Sequence, residues 1–442
     1  MAFRSPPPGG RLVPQSRLAR LARIGSAAAG VSGNMLVQGT GRLLRGQAPA
    51  LSDLLLTPAN ITRVTDELAR LRGAAMKLGQ LVSMDAGRSL PPELAAIMAR
   101  LRNAAEPMPE AQLRAVLDAN WGAGWHEQLA EFHFEPMAAA SIGEVHRAKT
   151  HDGRVLAIKV QYPGVRESIE SDVDNVGTLL RLTGLVPSGI DTRPLLAEAK
   201  RQLREEADYR SEARYLQSFA ALLGSDDAFV VPALVPEFST DTVLAMQFVD
   251  SVPIETLDNA SQATCDRVAA KLIELFLREL FEFGLMQTDP NFANYRFQPE
   301  SGRIVLLDFG ASRAFAPELV ARFKRLLQAG LEGDRTAAKQ AMLDIGILEN
   351  GHPRIFEVSV LVMVDTIFQA IRSADPFDFA DSSLVEKLEN QGRALTERRD
   401  ALRAPPADVL FLQRKLGGLF LLATRLKARV PLAQMLQDYA DR

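Results

Sequence analysis

Two neighbouring stretches carry the residue types that phosphate chemistry needs. Ile304 to Leu307 is an apolar β run that ends in Asp308-Phe309-Gly310. Upstream lies Gln287-Thr288-Asp289-Pro290-Asn291-Phe292-Ala293-Asn294, in which Asp289 and Asn294 stand five residues apart. Phosphate oxygens bridged by Mg2+ call for hard oxygen ligands in near-octahedral geometry. One or two side chains suffice, because nucleotide and water complete the shell. Asn294 and Asp308 fit that requirement as metal ligands, and Asp289 takes the position of the residue that orients or deprotonates an acceptor hydroxyl. An Asp-Phe-Gly tripeptide alone often only closes a strand; the Asp-x4-Asn spacing before it makes the combination informative.

A lysine extends the set. Val155-Leu156-Ala157-Ile158-Lys159-Val160 matches the Val-Ala-Ile-Lys pattern of a kinase third strand, where an inward lysine pairs the α and β phosphates. A lysine in an apolar strand is costly to bury without a partner. Acids are densest at Glu205-Glu206-Ala207-Asp208-Tyr209-Arg210-Ser211-Glu212. They could form solvated pairs with Lys200, Arg201, Arg204, Arg210 and Arg214, or one of them could neutralise Lys159. Glu206 and Asp208 open the run, while Glu212 lies a turn and a half after Glu206 and can face a different partner. The loop before the lysine strand, Ala138-Ala139-Ala140-Ser141-Ile142-Gly143, holds a single glycine where a phosphate-covering turn usually has three. Close approach of its amides to phosphate is thereby restricted, and nucleotide handling should differ. His146 reads as a strand surface residue, since no second His or Cys lies at ligand spacing. Gln247, Phe248 and Val249 read as a hinge presenting backbone groups to adenine.

The elements that must position these residues follow from periodicity and turn chemistry. Phe132 to Pro136, Gly143 to Lys149 and Arg154 to Gln161 read as strands, the last two joined by a hairpin turn at His151-Asp152-Gly153. Val230 to Pro236 and Thr242 to Val249 read as two more. The acidic run sits in a helical stretch, and Ser261 to Leu285 has a helical period leading into the Asp289 loop. Beyond Gly310 the chain reads as almost entirely helical. Ala316-Pro317-Glu318 spells a kinase motif but falls only eight residues after Asp308, too close for an activation segment; it reads as proline in the first turn of a helix. Upstream, Asp53 to Leu101 reads as helices. Within them Lys77 and Gln80 share a face, and Gly73 and Gly79 each cost about 1 kcal/mol against Ala, which close packing against another surface would offset. The reading divides the chain into a basic segment (1–50), a helical extension (51–125), an N-lobe (126–250) and a C-lobe (251–442).

Composition bounds the rest. At 442 residues the chain holds two or three domains, or one two-lobed catalytic domain with an extension. Hydrophobic content of 47%, charged content of 24% and a net charge of −3 are ordinary for a globular protein and give no general pull toward nucleic acid. The single cysteine, Cys265, excludes an internal disulfide framework and reads as a buried helix residue. No run of eighteen apolar residues is present. Val358 to Ile371 and Leu410 to Ala423 are short or broken by charge, at Asp365 and at Arg414 with Lys415. Met1 to Ser52 has no acidic residue but carries Arg4, Arg11, Arg17, Arg20, Arg23, Arg42 and Arg45. That asymmetry fits a transit peptide, a basic arm on an anionic membrane surface, or a solvated tail.

Taken in order, Lys-x-Gly-Gln at Lys77 to Gln80, Ala-Ala-Ala-Ser-Ile-Gly at Ala138 to Gly143, the Lys159 strand, Glu-Ala-Asp-Tyr at Glu206 to Tyr209, Gln-Thr-Asp-Pro-Asn at Gln287 to Asn291 and Leu-Asp-Phe-Gly at Leu307 to Gly310 resemble the UbiB atypical kinase-like family. Gln-Thr-Asp-Pro-Asn-Phe-Ala-Asn is similar to its mitochondrial coenzyme-Q branch. The resemblance implies an α+β, two-lobed protein-kinase-like fold with an N-terminal helical extension and a mostly helical C-lobe. It implies ATP and Mg2+ as cofactors, Lys77 meeting Glu206 and Asp208, Lys159 paired with Glu212, and metal held by Asn294 and Asp308. It also implies an ATPase supporting ubiquinone biosynthesis, with biosynthetic enzymes and isoprenoid lipid intermediates as partners and peripheral contact with an anionic membrane. The location would be the bacterial cytoplasm, or the mitochondrial matrix side if the basic N-terminus is a transit peptide. A lipid or small-molecule kinase and a nucleotide-dependent scaffold are the other readings. Glu144 departs from the family's usual Gln and puts an extra carboxylate near the phosphate-covering loop.

Overall fold

The strand bearing Lys159 shows how the first layer is built. Along Val155 to Gln161, Leu156, Ile158 and Val160 are fully buried on one face, while Ala157 and Lys159 are half-buried on the other. This is the period-two alternation of a strand with one face on a core. In a computed structural model, the described residues are Gly73, Ala74, Lys77, 107–182, 193–396 and 406–442. The Lys-x-Gly-Gln motif beyond Lys77, Gly79, and the basic segment 1–50 lie outside them.

The elements, in chain order, are α1 (Glu110–Trp121), β1 (Leu129–Phe132), β2 (Ala138–Ala139), β3 (Gly143–Thr150), β4 (Val155–Gln161), α2 (Val165–Leu182), α3 (Arg193–Glu206), α4 (Tyr209–Leu223), β5 (Phe229–Val230), β6 (Val243–Gln247), β7 (Val252–Pro253), α5 (Gln262–Arg278), β8 (Leu285–Gln287), β9 (Tyr295–Gln298), β10 (Arg303–Leu306) and β11 (Ser312–Ala314). There follow α6 (Pro317–Glu332), α7 (Arg335–Ile345), α8 (Arg354–Ser373), β12 (Phe377–Asp378), α9 (Ser383–Thr396), α10 (Ala407–Arg425), β13 (Arg429–Val430) and α11 (Leu432–Asp441). The fold is α+β and two-lobed. One unit comprises 1–214 with 233–248, and the other 215–232 with 249–442.

In the first unit an antiparallel sheet runs β1-β3-β4-β6, with β2 paired to β3. Its buried face packs Leu156, Ile158, Val160, Val243 and Ala245 against Leu113, Leu117 and Trp125. Each such aliphatic side chain removed from water stabilises by about 1.5–3 kcal/mol. Gly143 is required by close approach: a Cβ there would lie 2.2 Å from the carbonyl oxygen of Val160. In the second unit β5-β10-β9-β7 form one sheet and β8 pairs with β11, among helices. Among the described residues no helix is long and apolar enough to cross a membrane.

Four local expectations are corrected. The acidic run is not one helix: α3 stops at Glu206, and Asp208 starts α4 by accepting the Ser211 N–H at 3.0 Å, since a short carboxylate bonds nearby amides at a helix start better than it continues a helix. Within Val230 to Pro236 only Phe229 and Val230 are in a strand, with Leu234 making an isolated bridge to Met246; Pro232 and Pro236 have no N–H for a ladder. The first strand is Leu129–Phe132, although pairing with β3 continues through His133 N–H to Arg147 O at 2.9 Å and Met137 N–H to Val145 O at 2.8 Å. His146 is not at the surface. It is fully buried on the same face of β3 as Glu144 and Ala148.

Candidate active site

The first unit brings together Lys159 and Glu212. Lys159 Nζ donates to both carboxylate oxygens of Glu212, at 2.8 and 2.9 Å, and stands 5.1 Å from the centre of the Tyr209 ring. Glu212 is almost fully buried and Lys159 only slightly exposed, at 2% and 12% of their side chains. Such a pair is held by mutual neutralisation in a weakly solvated place. Asp208 places Glu212 indirectly, because the helix it caps carries Tyr209 and Glu212 in its first turn.

Glu206, at the end of α3, receives two donors: Lys77 Nζ on one oxygen and Ser141 Oγ on the other. Lys77 is fully buried. The Ala138 to Gly143 turn therefore connects through Ser141 to the carboxylate that holds Lys77. Gly73, one turn before Lys77, touches the same turn, since a Cβ there would meet the Ser141 carbonyl oxygen at 2.6 Å. Ala140 N–H is used within the turn, donating to Gly143 O at 2.9 Å, and Ile142 is buried. Glu144 lies on the buried face. It accepts the Met108 N–H, and its other oxygen is 3.4 Å from His146 Nε2, while His146 Nδ1 donates to the His133 carbonyl at 3.0 Å. In the stretch that the sequence reads as a hinge, Gln247 N–H donates to Ala233 O and Phe248 N–H to Val155 O, each at 2.8 Å. Those two amides belong to the sheet, and Val249 is the next residue along.

The second unit brings together Asp289, Asn294 and Asp308. The β9–β10 hairpin pairs Tyr295 with Leu306, and Leu307 N–H donates to Asn294 O at 3.1 Å. The open end of the hairpin thus brings Asn294 and Asp308 beside each other. Asn294 Nδ2 donates to Asp289 Oδ2 at 3.2 Å, a bond that does not use its amide oxygen. Asp308 Oδ1 accepts Gly310 N–H at 2.9 Å. Thr288 is tied to Ala311 O by its N–H at 3.1 Å and its hydroxyl at 2.7 Å, fixing the Asp289 loop to the strand after Asp308. Phe309 is buried, its ring 4.9 Å from that of Phe219 on α4. Pro317 opens α6 directly after β11. Two oxygen-bearing side chains at the open end of one hairpin suit Mg2+, which keeps water and phosphate in its other positions. Among the described residues no group of three His, Cys, Asp or Glu side chains forms an all-protein metal cage.

Sequence reasoning missed a cluster behind this loop. Arg414 Nη2 lies 3.3 Å from Asp289 Oδ1. Lys415, 2% exposed, donates to Gln287 Oε1 at 3.0 Å and Tyr295 Oη at 2.7 Å, with Glu279 Oε2 at 3.6 Å. Burial pushes the Glu279 carboxyl upward. Burial alone would lower the Lys415 ammonium, but Glu279 and Tyr295 outweigh it and hold the lysine charged. The signal was present: two adjacent cations interrupt the apolar Leu410 to Ala423 run, where only paired charge is tolerated.

A family model, the ABC1 atypical kinase-like domain, matches residues 100–342. Along nearly its whole length the chain is also similar to the mitochondrial atypical kinase COQ8 of Saccharomyces cerevisiae, with 38% identity over 96% of this chain and 85% of the yeast protein. The chain belongs to the ABC1 atypical kinase-like family. The mitochondrial COQ8B of Rattus norvegicus is 36% identical over 97% of this chain and 81% of the rat protein. Among solved structures, the erythromycin complex of Rv3197 from Mycobacterium tuberculosis has the same fold, with a TM-score of 0.58 and 24% identity over 83% of this chain and 92% of that one. Membership in the ABC1 family makes the chain an ATP-dependent, kinase-like enzyme.

Proposed function

We propose that this ABC1-family chain binds Mg-ATP and hydrolyses it in support of ubiquinone biosynthesis, while associated peripherally with an anionic membrane surface. The observation that carries the reading is the two-pronged Lys159–Glu212 pair, which holds a lysine ready for phosphate in a chain that also sets Asn294 and Asp308 side by side. Relatives named COQ8 supply the pathway, and the basic Arg4 to Arg45 segment supplies the membrane contact.

The chemistry that Mg2+ would supply when bound is positive charge to offset that of the phosphates. Asn294 and Asp308 would hold it with their oxygens. Lys159, kept in line by Glu212, would steady the α and β phosphates. Asp289, held by the Asn294 amide, would orient the attacking water or hydroxyl and accept its proton. Lys77, Glu206 and Asp208 would restrict access beside the Ala138 to Gly143 turn, and the backbone at Gln247 to Val249 would receive adenine.

The test is phosphate release from ATP by the full chain with Mg2+, with and without anionic liposomes, beside Asp308→Asn. Turnover that the variant lacks, rising with liposomes, is the expected result. Tight nucleotide binding without release would replace hydrolysis with a scaffold role, and release only on adding a lipid acceptor would replace it with lipid phosphorylation.

A further inference from the structure

Asp289 has a donor on each carboxylate oxygen, from two different elements. Asn294 Nδ2 lies 3.2 Å from Oδ2, and Arg414 Nη2 of α10 lies 3.3 Å from Oδ1. Both members of the arginine pair are largely shielded, with side-chain exposures of 12% and 16%. The loop from Gln287 to Asn294 contains no lysine or arginine, so the cation beside Asp289 comes from a helix 125 residues away in sequence.

That helix is built to hold the loop. Lys415 donates to Gln287, Arg414 meets Asp289, and Gly418 sits so close beneath Pro290 that a Cβ would lie 2.1 Å from the proline Cβ. Positions 414, 415 and 418 share a helical face, and they touch three of four consecutive loop residues. The start of α10 is tied to the strand after Asp308: Arg313 Nη1 is 3.1 Å from Asp408 Oδ1, and its guanidinium lies 4.2 Å from the centre of the Phe411 ring. One helix therefore fixes both the Asp289 loop and β11.

We infer that Arg414 is a positioning residue for the reaction at Asp289, acting from α10 to hold the carboxylate in the rotamer that orients the attacking oxygen. The inference rests on the ATP-hydrolysing reading of the site. Truncating Arg414 leaves Asp289 with Asn294 alone and frees it to rotate, whereas nucleotide contacts are left in place.

The experiment compares steady-state ATP turnover by wild type, Arg414→Ala, Arg414→Lys, Asp289→Asn and the Arg414→Ala/Asp289→Asn double variant. Arg414→Ala should lower kcat by about tenfold to a hundredfold, the scale of a misplaced catalytic group, with KM for ATP within about twofold of wild type. Arg414→Lys should recover part of the loss, as a point charge replacing a planar fork. The double variant should be no slower than Asp289→Asn, because Arg414 acts through that carboxylate. An Arg414→Ala enzyme with wild-type kcat, or losses that multiply in the double variant, would overturn the assignment. If wild type releases no phosphate, the hydrolytic reading fails by itself. The Arg414–Asp289 contact is then read from thermal unfolding of the same variants: non-additive shifts retain the positioning contact, and additive shifts remove it.

Discussion

Replacing Lys415 by Met tests whether the cluster under the Asp289 loop is held by charge. The ammonium is 2% exposed, with donated bonds to Gln287 at 3.0 Å and Tyr295 at 2.7 Å and the Glu279 carboxylate at 3.6 Å. Met fills the volume but donates nothing. Two bonds from a charged donor contribute about 1.5–3 kcal/mol each, and relief from burying the ammonium offsets part of that. Stranding Glu279, itself 1% exposed, restores a large cost, so the net loss should be about 3–5 kcal/mol. For a unit of this size the midpoint of thermal unfolding should fall by roughly 10 °C, at about 2–4 °C per kcal/mol.

The loss should depend on pH in a definite direction. Burial already holds Glu279 above the ordinary carboxylate range, with Lys415 pulling it back. A raised folded-state value means stability is fully present below the unfolded value and is lost as pH rises through the folded one. Without Lys415 the folded value climbs further. The cost of the substitution should therefore be smallest near pH 4, about the unfolded glutamate value, and grow toward neutrality. Urea unfolding followed by helical circular dichroism at several pH values measures it; Trp121 and Trp125 both lie in the first unit and would not report. Adding Glu279→Leu should return at least about 1 kcal/mol, because it removes the stranded charge. A Lys415→Met loss under about 1 kcal/mol, a pH-independent loss, or double-variant losses that simply add would refute the electrostatic account.

Other consequences are more local. Glu212→Gln should lower ATP turnover at least about tenfold by releasing Lys159, with a stability loss of about 1–3 kcal/mol; normal turnover would take the pair out of the mechanism. Asp226 bonds Ala228 N–H at 2.9 Å and Arg278 at 2.5 Å, and these outweigh partial burial to hold it below the usual carboxylate range. A depressed value gives stability that is present above the unfolded pKa and lost as pH falls through the folded one. Asp226→Asn should then cost about 1 kcal/mol at pH 7 and progressively less below about pH 4, and a constant cost would contradict the ion pair. Burial raises the Cys265 thiol, whose Sγ lies 3.4 Å from the Leu257 carbonyl. A thiol reagent at neutral pH should label it only after unfolding, so rapid labelling of the native chain would show the helix opening freely.

Much of the candidate site was legible because its signals are local. The Lys159 strand, the turn at Gly153 and the apolar run that leads to Asp308 each follow from residue pattern and turn chemistry within a few residues. The likeness of Gly73 to a packing glycine was also legible, since a helix rarely keeps one without a close neighbour, and Ser141 O is that neighbour. His146 was misplaced for a physical reason. The lack of a ligand-spaced partner argued against a metal site but says nothing about burial, and the Met108 amide and His133 carbonyl show how that face tolerates two ionisable groups.

The sequence by itself singled out the residue types that the proposed chemistry needs, Lys159 for phosphate, Asn294 and Asp308 for metal and Asp289 before them, on strands and turns that short-range pattern can specify. Tertiary structure decided the partners. Glu212 rather than its acidic neighbours takes Lys159 across 53 residues, and Arg414 reaches Asp289 across 125. Spacing tells which face a side chain occupies. Which distant face it meets depends on how helices and sheet pack, and the acids competing for one lysine differ only in that packing.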